Sequence, residues 1–338
     1  MYVRLIWYGC LENTMPKINE QDNQTEEISE KENKIIKEIL KTQISAIRGI
    51  EEIEESEYVK SQDKNEIENE EEVKENKQEE EIKLAESNLG TEVITNNPIA
   101  DNYNTTYRNV KIKNQTDYTL TDEILNPNIT IENKNILLFH THSCESYTSS
   151  EEYSYIPTGN YRTTELGYTV TRVGEELEKQ LKQYNYNVIH NTNYHDYPAY
   201  NGSYTRALDT VEKILQENPS DIIIDIHRDA IGSRADYAPT VKIGNEEAAQ
   251  IMFVIGTNDG GLWHPNWQQN LKFAIKVQEK GEEMYPGLFK SIMLTSSRYN
   301  QHTGKYASII EVGATGNTME QCLNSMKYLA KVMSEVIK

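Results

Sequence analysis

From residue 136 onward, apolar positions alternate between two textures. Short continuous runs, Ile136 to Phe139, Asn187 to Ile189, Ile222 to Ile226, Met252 to Ile255 and Ser308 to Ile310, are spaced as buried strands. Between them, apolar residues recur every three or four positions: Leu166, Val170, Val173, Leu177 and Leu181; Leu208, Val211 and Leu215; Leu271, Ile275 and Gln278; Met319, Leu323, Met326, Ala330 and Met333. Each set lines one face of a helix. Strands without polar alternation, separated by amphipathic helices, predict an α/β fold: a mostly parallel central sheet with helices on both faces.

The chain upstream reads differently. From Lys17 to about Asn97 it is built of Glu, Lys, Asn, Gln and Ile with almost no aromatics, and such a segment cannot bury enough apolar surface to offset the entropy of ordering. It is expected to be an acidic, disordered tail. One face, Ile36, Leu40, Ile44, Ile47 and Ile50, has helical spacing and reads either as a transient helix or as a partner-docking helix. Near Asn102 short alternating runs begin, with Val110 and Ile112, then Tyr118 and Leu120. The expected division is 1–16, a remnant of a signal or membrane anchor; 17–100, a low-complexity linker; and 101–338, a catalytic domain. The opening MYVRLIWYGCL has one basic residue before a very short apolar run, like the end of a signal or anchor. A linker of about 80 residues would let a tethered domain range tens of ångströms from a membrane.

Charge narrows the function classes. The 338 residues carry 34 Lys+Arg against 54 Asp+Glu, a formal charge of −20. Residues 1–100 hold 12 basic and 25 acidic side chains, so −13 lies there and −7 in the rest. A polyanion lacks the cations that release counterions from phosphates, which argues against nucleic acid, and an anionic bilayer repels it. Cys10, Cys144 and Cys322 are too few and too scattered for a disulfide scaffold or a zinc ribbon.

In open α/β sheets ligands bind beyond the carboxyl ends of the strands. There this chain carries His140-Thr141-His142-Ser143-Cys144-Glu145, Asp225-Ile226-His227-Arg228-Asp229 and Ile310-Glu311-Val312-Gly313. Catalytic zinc takes three ligands from His, Glu and Asp and keeps a fourth position for water. His142 and Glu145 can bind from one turn and His227 from a neighbouring strand; Glu311, on the same rim, suits a general base. Glu165, at the start of the first helical pattern, rivals Glu145 as the carboxylate ligand, and also reads as a favourable N-terminal helix charge. His140 reads as a supporting or structural residue, Cys144 as a spacer, and His190, His195 and most of Asn191 to Tyr200 as loop.

The stretches LLFHTHSCESY, IIIDIHRDA, FVIGTNDGGLWHPNWQQNLKFA and RYNQHTGKYASIIEVGATGNT together resemble the stage II sporulation protein P family, peptidoglycan hydrolases of endospore-forming bacteria, over about residues 105 to 338. Its wider relatives are zinc-dependent N-acetylmuramoyl-L-alanine amidases, whose working residues are a His after the first strand, a Glu, a second His and a catalytic Glu near the chain's end. His142, His227 and Glu311 match that pattern. In the wider amidase family the carboxylate ligand opens the first helix, which favours Glu165, whereas the HTHxxE string favours Glu145.

The resemblance implies an amidase-like fold, Zn2+ as cofactor and, as substrate, the amide joining N-acetylmuramic acid to L-alanine of the stem peptide, with a further endopeptidase cleavage of stem cross-links. It also implies action in forespore engulfment, outside the cytoplasm between mother cell and forespore, behind an N-terminal membrane anchor, alongside a lytic transglycosylase, stage II sporulation protein D. Arg228 or His302 can stabilise an oxyanion or bind a stem carboxylate; for Arg228 an ion pair with Asp229 or Asp225 is the competing role. Trp263, His264 and Asn266 suit a sugar or peptide chain, with core packing the other role for Trp263, and Asn300 and Gln301 can hydrogen-bond substrate amides. Two other functions fit the same residues: a zinc peptidase acting only on peptide bonds, and a noncatalytic cell-wall binding module.

Overall fold

The computed structural model describes residues 90–231 and 234–337. The opening apolar run, the helical face from Ile36 to Ile50 and the acidic linker up to residue 89 lie outside the described residues.

Eleven strands and five helices are described. Eight strands form the central sheet: β2 (Thr105–Tyr107), β3 (Val110–Asn114), β4 (Asn135–Phe139), β5 (Asn187–His190), β6 (Ile222–Asp229), β9 (Ile251–Gly256), β10 (Ile292–Thr295) and β11 (Tyr306–Ala314). Their order across the sheet is β2-β3-β10-β9-β11-β6-β4-β5. A second sheet, all antiparallel, joins β1 (Thr91–Val93), β7 (Thr240–Ile243) and β8 (Glu246–Ala249). Strand β1 thus lies within the stretch that reads as linker in the sequence.

The central sheet is mixed, which corrects the expectation of a mostly parallel one. β11, β6, β4 and β5 run parallel, and so do β9, β10 and β3, but β9 meets β11 antiparallel and β2 meets β3 antiparallel. The cause lies between β6 and β9. A parallel return needs a crossover, usually a helix, but here the chain forms the β7–β8 hairpin instead and re-enters the sheet at the same edge where β6 leaves it. As a result, the edge at which β4, β6 and β11 end is also the edge at which β3, β10 and β9 begin.

Side-chain alternation sorts the strands onto two cores. Ile136, Leu138, Ile222, Ile224, Ile226, Phe253, Ile255 and Ile310 pack on one face against α2 (Val170–Gln183), α4 (Trp267–Met284) and α5 (Met319–Val336). On the other face Leu137, Phe139, Ile223 and Ala307 pack against Ala207 and Val211 of α3 (Ser203–Glu217); a small cluster of Met252, Val254 and Ile309 lies beside them. The remaining helix, α1 (Asp122–Leu125), is one short turn. Helix α2 buries Val170, Val173, Leu177 and Leu181, each fully, and full burial of such a side chain stabilises by roughly 1.5–3 kcal/mol. Its first turn is capped by Thr169, whose side chain accepts from the Thr171 amide. Leu166, the first residue of that helical pattern, sits instead in a 3₁₀ turn, Leu166–Tyr168.

Candidate functional site

Asp225, His227 and Glu311 share the face covered by α3. Asp225 and His227 are two apart on β6, and Glu311 on β11 is the direct register partner of His227. Past Glu311 the β6–β11 register shifts, and Gly313 takes a positive φ of 65°. A Cβ there would lie 2.7 Å from Asn317 Oδ1, so the glycine of IIEVGATGN shapes the bulge that ends the strand behind Glu311.

The loop after β4 is tied to β6 by Asp225. Its buried carboxylate accepts from the Thr141 amide at 2.8 Å and the Thr141 hydroxyl at 2.6 Å. Its Oδ1 also lies 2.9 Å from His227 Nε2. This anchors a tight turn that carries His142 and Glu145 back over the strand end, with the Glu145 amide donating to the His142 carbonyl at 3.2 Å. Glu145 Oε2 then stands 3.6 Å from His227 Nδ1 and accepts from the Arg228 amide. The His142 and His227 rings meet edge to face with centroids 5.3 Å apart.

His142 is held by residues from segments that read as loop in the sequence or carry no pattern of their own. Tyr200 stacks on its ring at 4.6 Å and places its hydroxyl 3.2 Å from Nε2; Tyr204 meets the ring edge-on. Asp196 Oδ2 lies 3.9 Å from His142 Nδ1. That buried carboxylate also accepts from the Ser143 hydroxyl, the Cys144 amide and the Arg162 guanidinium. Asp225 is legible in the sequence as the residue two before His227 on one strand face. Asp196, Arg162, Tyr200 and Tyr204 leave no local signal, because their role exists only once distant segments meet.

The electrostatics are those of crowded carboxylates and imidazoles. Burial raises the Glu311 carboxyl to about 8, with Glu145 and Asp229 adding to the shift against the pull of His227 and Arg228. Burial alone would lower His227, but Asp225, Glu145 and Glu311 outweigh it and push the ring up to about 10. His142 is lowered, chiefly by burial. Cys144 is raised to about 12 by burial and then by Asp196, so it stays a thiol at neutral pH, which is unfavourable for a metal ligand.

His142 Nδ1 and Glu311 Oε2 are buried here without a hydrogen-bond partner. Tetrahedral zinc with N and O bonds of about 2.0–2.1 Å places its ligand atoms roughly 3.4 Å apart, close to the 3.6 Å between His227 Nδ1 and Glu145 Oε2. Two imidazoles and a carboxylate are thus the donor types that fit zinc. Among the described residues, no three His, Cys, Asp or Glu side chains already close into a metal-holding group.

Glu165 is exposed in front of the 3₁₀ turn, where its carboxylate accepts from the Ile156 amide; it is not gathered with the histidines, and Glu145 is. Arg228 is buried, bonding Thr315 Oγ1 at 2.7 Å and the carbonyls of Asp229 and Tyr161, with no ion pair to Asp229 or Asp225. The remaining candidates fall at or near the opposite edge of the sheet, because β9 and β10 end where β11 begins. Trp263 is 70% exposed rather than packed in the core, and stands beside His302. His264 is buried against Asn270, and Asn266 precedes α4 without a side-chain cap. Gln301 spends both ends of its amide on the Gly256 amide and the Val254 carbonyl. Asn300 donates to the Tyr204 carbonyl and so supports the tyrosine beside His142. His140 points to the face covered by α2, bonding the Ile226 carbonyl and His190.

Comparison with known families decides the lineage. The family model "Stage II sporulation protein P" matches residues 16–334. The chain belongs to the stage II sporulation protein P family. The match spans the strand-end motifs of His142, His227 and Glu311 together with much of the acidic segment. No curated protein matches. Among solved structures, the chain is similar to the catalytic domain of the CD27L endolysin targeting Clostridia difficile, at 14% identity and a TM-score of 0.37, over 60% of this chain and 96% of that one. It is also similar to the CwlD amidase of Clostridioides difficile in complex with the GerS lipoprotein, at 13% identity and a TM-score of 0.37, over 61% and 94%. A third is the catalytic domain of CwlV, an N-acetylmuramoyl-L-alanine amidase of Bacillus (Paenibacillus) polymyxa var. colistinus, at 14% identity and a TM-score of 0.35, over 60% and 95%.

Proposed function

We propose that this member of the stage II sporulation protein P family is a zinc-dependent peptidoglycan hydrolase that cleaves the amide between N-acetylmuramic acid and L-alanine. The observation that carries the reading is Glu311 in register with His227, its Oε2 buried without a partner, on the rim that holds His142 and Glu145. His142, Glu145 and His227 would hold the ion, with Asp225 steadying His227 from its other ring nitrogen as ligating histidines require. Zinc, when bound, supplies Lewis-acid polarisation of the scissile carbonyl and acidifies water. Glu311 takes the proton of the attacking water and returns it to the departing amine. The Tyr200 stack and the Asp196 contacts fix the His142 ring, so that orientation is set before substrate arrives.

The resemblance further supports cleavage of stem cross-links, action during forespore engulfment outside the cytoplasm, and a lytic transglycosylase as partner. The acidic segment up to about residue 100 is then a tether for the catalytic domain. No helix among the described residues is long and apolar enough to cross a membrane.

Digestion of purified sacculi by the full chain, followed by mass spectrometry of the products, tests the reaction. Amidase action frees intact stem peptides from glycan. Products in which every stem remains attached to muramic acid would remove the amidase reading and leave a peptidase, and no soluble product would leave a binding module.

A further inference from the structure

Hydrolysis of an amide through a tetrahedral intermediate leaves negative charge on the former carbonyl oxygen, and a site that speeds the reaction places a donor there. The two residues that the sequence offers for this task are engaged elsewhere. Arg228 directs its terminal nitrogens to Thr315 Oγ1 and to the carbonyls of Asp229 and Tyr161, and His302 lies near the far edge of the sheet beside Trp263. A phenol reaches the rim instead.

Tyr200 stands on the segment between β5 and α3, which is fastened along its length. At its start the His195 ring donates through Nδ1 to the His140 carbonyl at 2.7 Å, and its Nε2 lies 3.1 Å from Thr210 Oγ1. Asp196 follows, bound to Ser143, Cys144 and Arg162. At its end Gly202 takes a positive φ of 83° on entering α3. From the first turn of that helix Arg206 reaches back, donating through Nε to the His195 carbonyl at 2.7 Å, through Nη1 to the Asn201 carbonyl at 3.1 Å and through Nη2 to the Ala199 carbonyl. One guanidinium thus holds three carbonyls of the strap that presents Tyr200.

The strap lays the Tyr200 ring on the His142 ring at 4.6 Å, with the Arg162 guanidinium 5.2 Å from the phenol ring. The hydroxyl lies 3.2 Å from His142 Nε2. Tyr200 is 55% exposed whereas His142 is 6% exposed, so the phenol borders both the buried imidazole and the open rim. In order of contact Glu311, His227, His142 and Tyr200 follow one another, which sets the base and the phenol at the two ends of the imidazole pair. A phenol titrates near 10, so at neutral pH its O–H is a donor.

We propose that the Tyr200 hydroxyl donates a hydrogen bond to the scissile carbonyl oxygen and stabilises the oxyanion of the tetrahedral intermediate. The proposal rests on the hydrolase reading above and deepens it. The oxygen of water bonds to the carbonyl carbon while Glu311 takes its proton, and the carbonyl π pair moves onto the oxygen facing Tyr200. When the C–N bond breaks, the proton held by Glu311 passes to the nitrogen, and Tyr200 keeps its own proton throughout. The competing role for Tyr200 is to support the His142 ring by stacking, which phenylalanine does equally well.

Tyr200→Phe separates the two roles, because it keeps the stack and removes one oxygen. With a soluble muropeptide as substrate, kcat is expected to fall roughly 10²–10³-fold with KM unchanged. Zinc per chain and the thermal midpoint should stay as in the wild type. In isothermal titration, affinity for a phosphinate isostere of the scissile amide, a tetrahedral anion, should fall by a similar factor. A kcat within about tenfold of wild type, an undiminished affinity for the phosphinate, or loss of zinc from Tyr200→Phe overturns the proposal. A wild-type chain that releases no stem peptide sinks the hydrolase reading and this one with it, whereas a wild type and a Tyr200→Phe chain that cleave equally fast sink this one alone.

Discussion

Glu311 and His227 are neighbours across the parallel β6–β11 pair, where burial raises the carboxyl of Glu311 and would lower the imidazole of His227, but Asp225, Glu145 and Glu311 outweigh burial and raise that ring instead. The pair combines a carboxyl with an unpartnered buried oxygen and an imidazole in contact with two further carboxylates.

Glu311→Gln should therefore abolish turnover while leaving the fold in place. General-base loss costs roughly 10²–10⁴-fold, and the amide removes a buried carboxyl that lacks a hydrogen bond. Release of stem peptides from sacculi and the thermal midpoint, measured on the same preparation, check it. Activity within about tenfold of wild type would take Glu311 out of the reaction.

The two rival carboxylates should separate in a metal assay. Glu145 is buried with Oε2 3.6 Å from His227 Nδ1, whereas Glu165 is exposed and turned to the Ile156 amide. Zinc per chain, counted by plasma mass spectrometry after dialysis, should fall from about one to well below half in Glu145→Gln, His142→Ala and His227→Ala, and stay at about one in Glu165→Gln. Retained metal in Glu145→Gln and loss in Glu165→Gln would reverse the assignment.

Gly174→Ala tests the histidine pair behind the site. His140 and His190 meet through Nε2 at 2.8 Å, and a Cβ on residue 174 of α2 would lie 2.6 Å from one nitrogen and 2.8 Å from the other. Helix propensity alone makes alanine better than glycine by about 1 kcal/mol. Overpacking costs about 1–3 kcal/mol, so the expected net result is destabilisation in urea titration. A gain in stability would show that the pair gives way freely.

His264 should make stability depend on acidity. Burial, then His302 and Arg298, push its ring down to about 4, and Nε2 faces the Asn270 amide nitrogen, so the folded ring is neutral. In the unfolded chain the ring titrates near 6.5. Between about 4 and 6.5 the unfolded state binds the extra proton, so this contribution is complete above about 6.5 and is lost as pH falls toward 4, by up to about 1.4 kcal/mol per pH unit. Urea unfolding at pH 7.5, 6.5, 5.5 and 5.0 should show the wild type losing stability faster than His264→Phe. Parallel pH profiles for the two chains would contradict it.

Hydrophobic periodicity by itself determined the buried strands β4, β5, β6, β9 and β11 and the helices that cover them, because a strand buried on both faces and a one-sided helix leave local patterns. It also brought His142, Glu145, His227 and Glu311 forward, since all four follow or end such strands. Direction was decided only in three dimensions. TVKI of β7 and EEAA of β8 are too short and too polar to register as strands, yet their hairpin turns β9 antiparallel and sends the loops holding Trp263, Asn266 and His302 to or near the far edge. Tertiary structure alone also selected Glu145 over Glu165 as the carboxylate beside His227, and brought Asp196 and Tyr200 to His142 from more than fifty residues away. Periodicity records which face of an element is buried; which elements then meet depends on packing between segments far apart in the chain, and no local pattern encodes it.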